Sequence, residues 1–448
     1  MDEAYSFLSS RKTRILWAVA LGLSFALSVL ASFRGAYIGP DYFMHFMRLV
    51  TWAQIFDFST TSPPLYYLLG HWLFLITGSG NTFPITLSVV QAAINTLAMW
   101  WFFKVTEPRF RSNLVHLALV FFLAFLPVRV IHAATIGTDS MTVPLFVLVL
   151  LLVNRFLSEK TAGMKSAAFL GLGLAVAVWT KYSFMALIPA VFLILLSIWA
   201  EQRWKFERFL AICILALLLP SGLALHSFWA SSRVHGYNTE KHWLVKGEAP
   251  DMNYRDLLLV KRSDIQLFKA PEYFKYGIQR GHTYSYLGLV HLGIFTDTMN
   301  LFQVLTVPQN FGAVLIPDQK ARRPWKTPIM QAAMVLGVVW TVLVLIALPW
   351  SLFRAFRNLL KRKLREEDVT AILGIAFFLI VFVLIPFVHY GGLFGYWTPR
   401  LILPALLSFY LAEFLFIDDK IVRGARAMAW TVLLLVFVQC GIEAVMLT

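Results

Sequence analysis

The sequence predicts an all-α polytopic membrane protein with about eleven crossings. Three observations lead there. Hydrophobic residues make up 59% of the chain against 14% charged, and the mean hydropathy is +0.69. Apolar runs of membrane length recur along nearly the whole chain. The basic residues sit in short clusters between those runs, where they orient helices. A soluble globular protein is excluded. The net charge of +15 lies in those clusters, so no nucleic-acid partner is expected. Cys213 and Cys440 both lie inside apolar runs and imply no disulfide framework.

Taken in order, the first run is 15–33, flanked by Arg11, Lys12 and Arg14. No small-residue cleavage motif follows it, and it is expected to be kept as the first helix. A loop at 35–82 leads to crossings at 83–103, 114–130, 142–153, 167–179, 184–200 and 210–229, the end of an N-terminal membrane module. A large loop, 230–328, precedes four more crossings at 329–353, 372–389, 401–417 and 427–446, within a C-terminal module 329–448. Two further apolar segments, 65–77 and 284–307, are decided by charge. If neither crosses, the clusters around Lys104/Arg109/Arg111, Arg155/Lys165, Lys205/Arg208, Arg354–Arg365 and Lys420/Arg426 share the cytoplasmic side with the N-terminus. If 65–77 crossed, the later clusters up to the large loop would flip outward. The segment is therefore expected to lie along the outer surface as a juxtamembrane helix.

That parity gathers the polar motifs on one side. Asp41 follows Gly39-Pro40, with His45 one turn on and Arg48 beyond it. On a helix opened by Asp41 the three share a face, where they could deprotonate a hydroxyl or hold a phosphate. The alternative is that Asp41 caps an interfacial helix bearing Phe43, Phe46, Met47 and Trp52. Asp139, in IGTDSM, reads either as the cap of the helix starting near Thr142 or as a second carboxylate converging with Asp41. If a divalent metal ion is bound, those two carboxylates are its expected ligands. Lys181 and Tyr182 stand at the outer end of the fifth crossing. They read as a snorkelling lysine with an interfacial tyrosine, or as a cation and a phenol offered to a lipid phosphate. Arg400, after Tyr396-Trp397-Thr398-Pro399, allows the same two readings. Tyr66 in the Pro-Pro-Leu-Tyr-Tyr stretch, and Arg280 and His282 in QRGHTYSY, are weaker candidates. The large loop sets tyrosines among lysines and arginines, which suits an interfacial lid more than sugar stacking. No Walker loop, dinucleotide fingerprint or zinc-spaced cluster is present, so no soluble cofactor is indicated.

Three stretches resemble the GT-C superfamily of membrane glycosyltransferases, and within it the bacterial relatives of protein O-mannosyltransferases and of the lipid A aminoarabinose transferase. They are Pro40-Asp41 with His45 followed by Ser62-Pro63-Pro64-Leu65-Tyr66-Tyr67, then Thr138-Asp139, then Thr180-Lys181-Tyr182 with Pro189. Many relatives carry an acidic pair in the first loop, whereas here Tyr42 follows Asp41. The resemblance implies a GT-C-like bundle and transfer of a sugar from a polyprenyl-phosphate carrier to a lipid, glycan or protein hydroxyl, with inversion. Asp41 would be the general base and His45 would orient it, while Asp139 would assist the acceptor. Arg48, Lys181 and Arg400 would hold the donor phosphate, with Tyr182 beside them. A bacterial inner membrane with a periplasmic site is the expected setting. Two other readings stand beside it. A transporter or flippase without chemistry would place its ionisable groups near the bilayer midplane. A surface-polysaccharide polymerase or ligase would use a lipid-pyrophosphate donor.

Overall fold

The structure is a computed structural model that describes residues 10–33, 42–55, 63–78, 82–158, 163–202, 205–235, 265, 286–295, 326–361, 363–379, 402–421 and 426–447. Among them all regular structure is helical. The helices are α1 (Ser10–Phe33), α2 (Tyr42–Val50), α3 (Trp52–Ile55), α4 (Leu65–Thr77), α5 (Thr82–Thr106), α6 (Asn113–Phe125), α7 (Pro127–Ala134) and α8 (Thr142–Ser158). They continue with α9 (Met164–Thr180), α10 (Leu187–Gln202), α11 (Phe206–His235), α12 (Tyr286–Phe295), α13 (Lys326–Leu360), α14 (Glu366–Phe378), α15 (Leu403–Phe416) and α16 (Arg426–Leu447).

This is an all-α integral membrane protein. Among the described residues seven helices are long and apolar enough to cross a bilayer, and eight when the bent pair α6–α7 counts as one span. Three of the eleven expected crossings remain. One is α9, which has 17 residues. The others are α15, which has 14 residues, and α14, whose expected crossing extends into positions outside the described residues. Large apolar side chains such as Leu97, Leu218 and Leu434 stay exposed on the bundle exterior, as a lipid-facing surface requires.

The sequence suggests one continuous crossing over 114–130, and here the structure differs. Pro127 has no N–H to give to the preceding turn, and the chain bends by 49° between α6 and α7. The carbonyls left over at the break are those of Leu123 and Ala124. Arg129, buried to 1% exposure, folds back on both, its Nε donating to the Leu123 carbonyl at 2.7 Å. Its guanidinium also reaches the Ser24 hydroxyl. Ser24 belongs to a stripe of serines four apart on α1. Ser28 donates to the Val130 carbonyl at 3.0 Å, and Ser32 meets Ser88 of α5 at 2.6 Å. The stripe seats α1 against the broken span, where the freed Leu123 and Ala124 carbonyls find side-chain donors.

Elsewhere packing relies on small residues. Gly171 of α9 lies so close to α11 that a Cβ would stand 2.1 Å from the Leu215 carbonyl oxygen. Ionisable groups also lie inside the bundle, a departure from the expectation that they gather at the outer ends. Among the described residues these include, besides Arg129, Glu413 of α15 and Glu443 of α16, both fully buried. Gln439 donates to Glu443 at 2.6 Å, and neither oxygen of Glu413 meets a donor among the described residues.

One end of the bundle is tied by charge. Arg14 pairs with Glu107 at 3.2 Å, Arg109 with Glu366 at 3.1 Å and Arg111 with Asp419 at 3.4 Å. Asp418 accepts from the backbone N–H groups of Arg111 (2.7 Å) and Ser112 (3.0 Å) just before α6 begins, where a helix start has donors to spare. Fully buried Asp368 takes Arg354 at 3.3 Å and Asn358 at 2.8 Å. The polar motifs of the first loops lie at the other end.

Candidate functional site

Pro64 precedes α4, at a position where a missing N–H costs a helix little. The next turn carries adjacent tyrosines, which point about 100° apart around the helix. Tyr67 points to α2. Its hydroxyl meets His45 Nδ1 at 2.5 Å, and the Arg48 guanidinium lies 4.0 Å above its ring centre. Arg48 is buried and also donates to the carbonyls of Gln54 (3.1 Å) and Ile55 (3.0 Å), closing the chain where α3 ends. Leu49, Ile55, Tyr66, Tyr67, Phe83, Leu87 and Ile136 form a separate small core beneath this corner.

Tyr66 points the other way, to α5 and the turn after α7. Its hydroxyl accepts from Gln91 Nε2 at 2.6 Å and from the Gly137 N–H at 2.9 Å. Burial pushes its phenol far up, so it stays neutral and serves as a hydrogen-bonding group. Gly137 has φ +154°, and a Cβ there would stand 3.0 Å from His45 Cδ2 and 3.1 Å from Nε2. The glycine thus answers both the backbone conformation and the imidazole packed on it. Asp139 follows two residues on, in the 3₁₀ turn Thr138–Met141. Its carboxylate forms an ion pair with Lys181, which sits in extended conformation just past α9. Tyr182 begins the next turn, Tyr182–Ala186, and is half-buried.

The structure therefore brings His45, Arg48, Tyr66, Asp139 and Lys181 into one continuous set of contacts through Tyr67 and Gly137. Asp41, Arg280, His282 and Arg400 lie outside the described residues. Sequence reasoning missed Tyr67 as a contact, along with Gly137, Ser140, Gln91 and Asn95. The available signal was two amides four apart in an otherwise apolar run, the spacing that puts both on one helix face. Among the described residues no group of three or more His, Cys, Asp or Glu side chains converges as a metal site.

Fold and site define an integral membrane helical bundle with a polar cluster of loops and turns at one end. The fold is similar to that of the oligosaccharyltransferase of Archaeoglobus fulgidus. The crystal structure of that protein in the apo form aligns with a TM-score of 0.50 and 14% identity over 98% of this chain. A structure of the archaeal oligosaccharyltransferase AglB from the same organism, in complex with an inhibitory peptide and a dolichol-phosphate, aligns at 0.48 and 14% over 96% of this chain. The chain spans 56% and 55% of those proteins. What is shared with the apo structure is the transmembrane fold. No protein-family model matches the sequence, and no curated protein matches it.

Proposed function

We propose that the protein is a GT-C-type glycosyltransferase that moves a sugar from a polyprenyl-phosphate carrier to an acceptor hydroxyl on a lipid, glycan or protein. The observation that supports this most is the convergence of His45 from the first loop with the turn bearing Asp139 and with Lys181, in a chain that shares the fold of an oligosaccharyltransferase. In this reading Asp41, four residues before His45 in the sequence, takes the proton from the acceptor. The acceptor oxygen attacks the anomeric carbon as the bond to the phosphate oxygen breaks, and the electron pair leaves with polyprenyl phosphate, so the configuration inverts. Lys181 and Arg400, with Arg48 behind Tyr67 and Tyr182 beside Lys181, supply positive charge and hydrogen bonds where the leaving charge develops. Asp139 holds Lys181 and serves the acceptor side. The site faces the periplasm of a bacterial inner membrane, with the N-terminus in the cytoplasm.

The test uses the purified chain in lipid nanodiscs with radiolabelled polyprenyl-phosphate sugars and hydroxyl acceptors. Wild type should release polyprenyl phosphate, and Asp41→Asn should lower the rate about 10³-fold while inserting normally. Near-normal turnover in that variant overturns the base assignment. One observation favours a second reading, transport without chemistry: Glu413 and Glu443 lie fully buried inside the bundle. No release from any donor would favour it, and Glu443→Gln would then be expected to abolish substrate movement.

A further inference from the structure

We infer that Gln91 and Asn95, two amides buried within α5, are positioning residues that set the Asp139 turn against His45. The inference rests on the glycosyltransferase reading for its catalytic meaning and on geometry for the rest. Both amides are 2% exposed in a helix otherwise fit to cross a bilayer, where an uncompensated polar group is costly. Their spacing of four aims them at the same turn. Gln91 donates to the Tyr66 hydroxyl, which in turn accepts the Gly137 N–H at the start of the turn. Asn95 donates to the Ser140 carbonyl at 2.7 Å, near the end of the turn, and to the Gln91 carbonyl at 3.0 Å. The turn is also closed on itself, since the Ser140 N–H (3.2 Å) and hydroxyl (2.7 Å) both donate to the Gly137 carbonyl.

Asp139 thus lies between two points tied to α5, Ser140 directly and Gly137 through Tyr66. The residue next to Tyr66 holds the other half of the site, because Tyr67 bonds His45. The pair of tyrosines therefore couples the loop carrying His45 to the turn carrying Asp139, with Gln91 and Asn95 as the fixed frame behind them. A side chain needed only to fill space at position 91 or 95 would be apolar. An amide at each position, Asn95 bonded to one end of the turn and Gln91 reaching the other through the Tyr66 hydroxyl, is what holding its register requires.

The experiment compares Gln91→Leu, Asn95→Leu and Tyr66→Phe with wild type in nanodiscs, by two readouts. In the transfer assay each variant should lower kcat about 100-fold, with the KM for the lipid donor changed less than about threefold. The Tyr66→Phe/Gln91→Leu double variant should be no worse than either single one, because the two act as a unit. Hydrogen exchange, which needs no activity, should quicken in the segment containing Gly137–Met141 and stay unchanged in α9. Wild-type kcat in Gln91→Leu and Asn95→Leu, beside an inactive Asp41→Asn, overturns the positioning role and leaves the enzyme reading intact. Absence of transfer in wild type defeats the enzyme reading instead, and the exchange data then decide the frame alone. Unaltered exchange in the turn overturns it.

Discussion

The two ends of the bundle solve one problem by different means. At each end helices stop, backbone groups lose their partners, and loops must be pinned. At the end bearing Arg14, Arg109, Arg111 and Arg354, acids from a different helix or turn answer each cation, and Asp418 collects the backbone donors ahead of α6. At the end bearing His45 and Asp139, pinning falls mostly to neutral groups, the hydroxyls of Tyr66, Tyr67 and Ser140 and the amides of Gln91 and Asn95, with Arg48 closing the chain at the end of α3. The ion pair between Asp139 and Lys181 joins two turns within the candidate site itself.

The sharpest way to break that contrast is to remove charge from the site end. Lys181→Met leaves Asp139 without its ammonium partner and, in the proposed reaction, takes a cation from the leaving phosphate. Transfer should fall about 10²- to 10³-fold, read as polyprenyl phosphate release. A Lys181→Met enzyme that retains wild-type kcat would mean the ion pair serves cohesion, as at the opposite end.

Next in size is Gly137→Ala. A methyl group would meet the His45 ring at about 3 Å on a backbone with φ +154°. The strained conformation alone should cost about 1–3 kcal/mol, seen as a lower Tm in detergent. Transfer should fall further than stability does, because His45 must shift to make room. Equal loss of both would place the glycine with the scaffold.

What the sequence disclosed follows from where the polar residues stand in it. Asp139 and Lys181 flank apolar runs, so their exposure to one face could be read from helix parity, and the structure joins them. His45 was legible as part of a motif, but its contact with Gly137 was not, since nothing local says which turn will come to rest on it. Arg129, Glu413, Gln91 and Asn95 were hidden for the opposite reason. They sit inside runs whose average hydropathy conceals single polar residues, and their role depends on which helix lies alongside. Pro127 was visible, yet the run 114–130 was read as unbroken because Arg129, the group that makes a break tolerable, acts through three-dimensional contacts with Leu123, Ala124 and Ser24.

Arg129 gives the largest expected effect on stability apart from activity. Arg129→Met removes the donor to the buried Leu123 carbonyl and one of two donors to the Ala124 carbonyl, which keeps the Ser24 hydroxyl. Each buried acceptor left alone costs about 1–3 kcal/mol, so the variant should melt well below wild type and yield less folded protein on extraction. Gly171→Ala should do less, about 1–3 kcal/mol, by forcing α9 away from the Leu215 carbonyl. An unchanged Tm in either would mean that the helices can separate without loss, contrary to a tightly packed bundle.

The smallest effect belongs to the charged end. Arg14 is half exposed and pairs with Glu107 at 3.2 Å. Such a pair in contact with water contributes about 0–1 kcal/mol and weakens with salt. Arg14→Ala should therefore shift Tm by no more than a few degrees, and raising the salt concentration should shrink the difference. Its transfer rate should match wild type, since among the described residues no contact links Arg14 to the turn bearing Asp139. A large loss of activity on removing Arg14 would show that the two ends communicate, and the division of labour between charge for cohesion and charge for chemistry would fail.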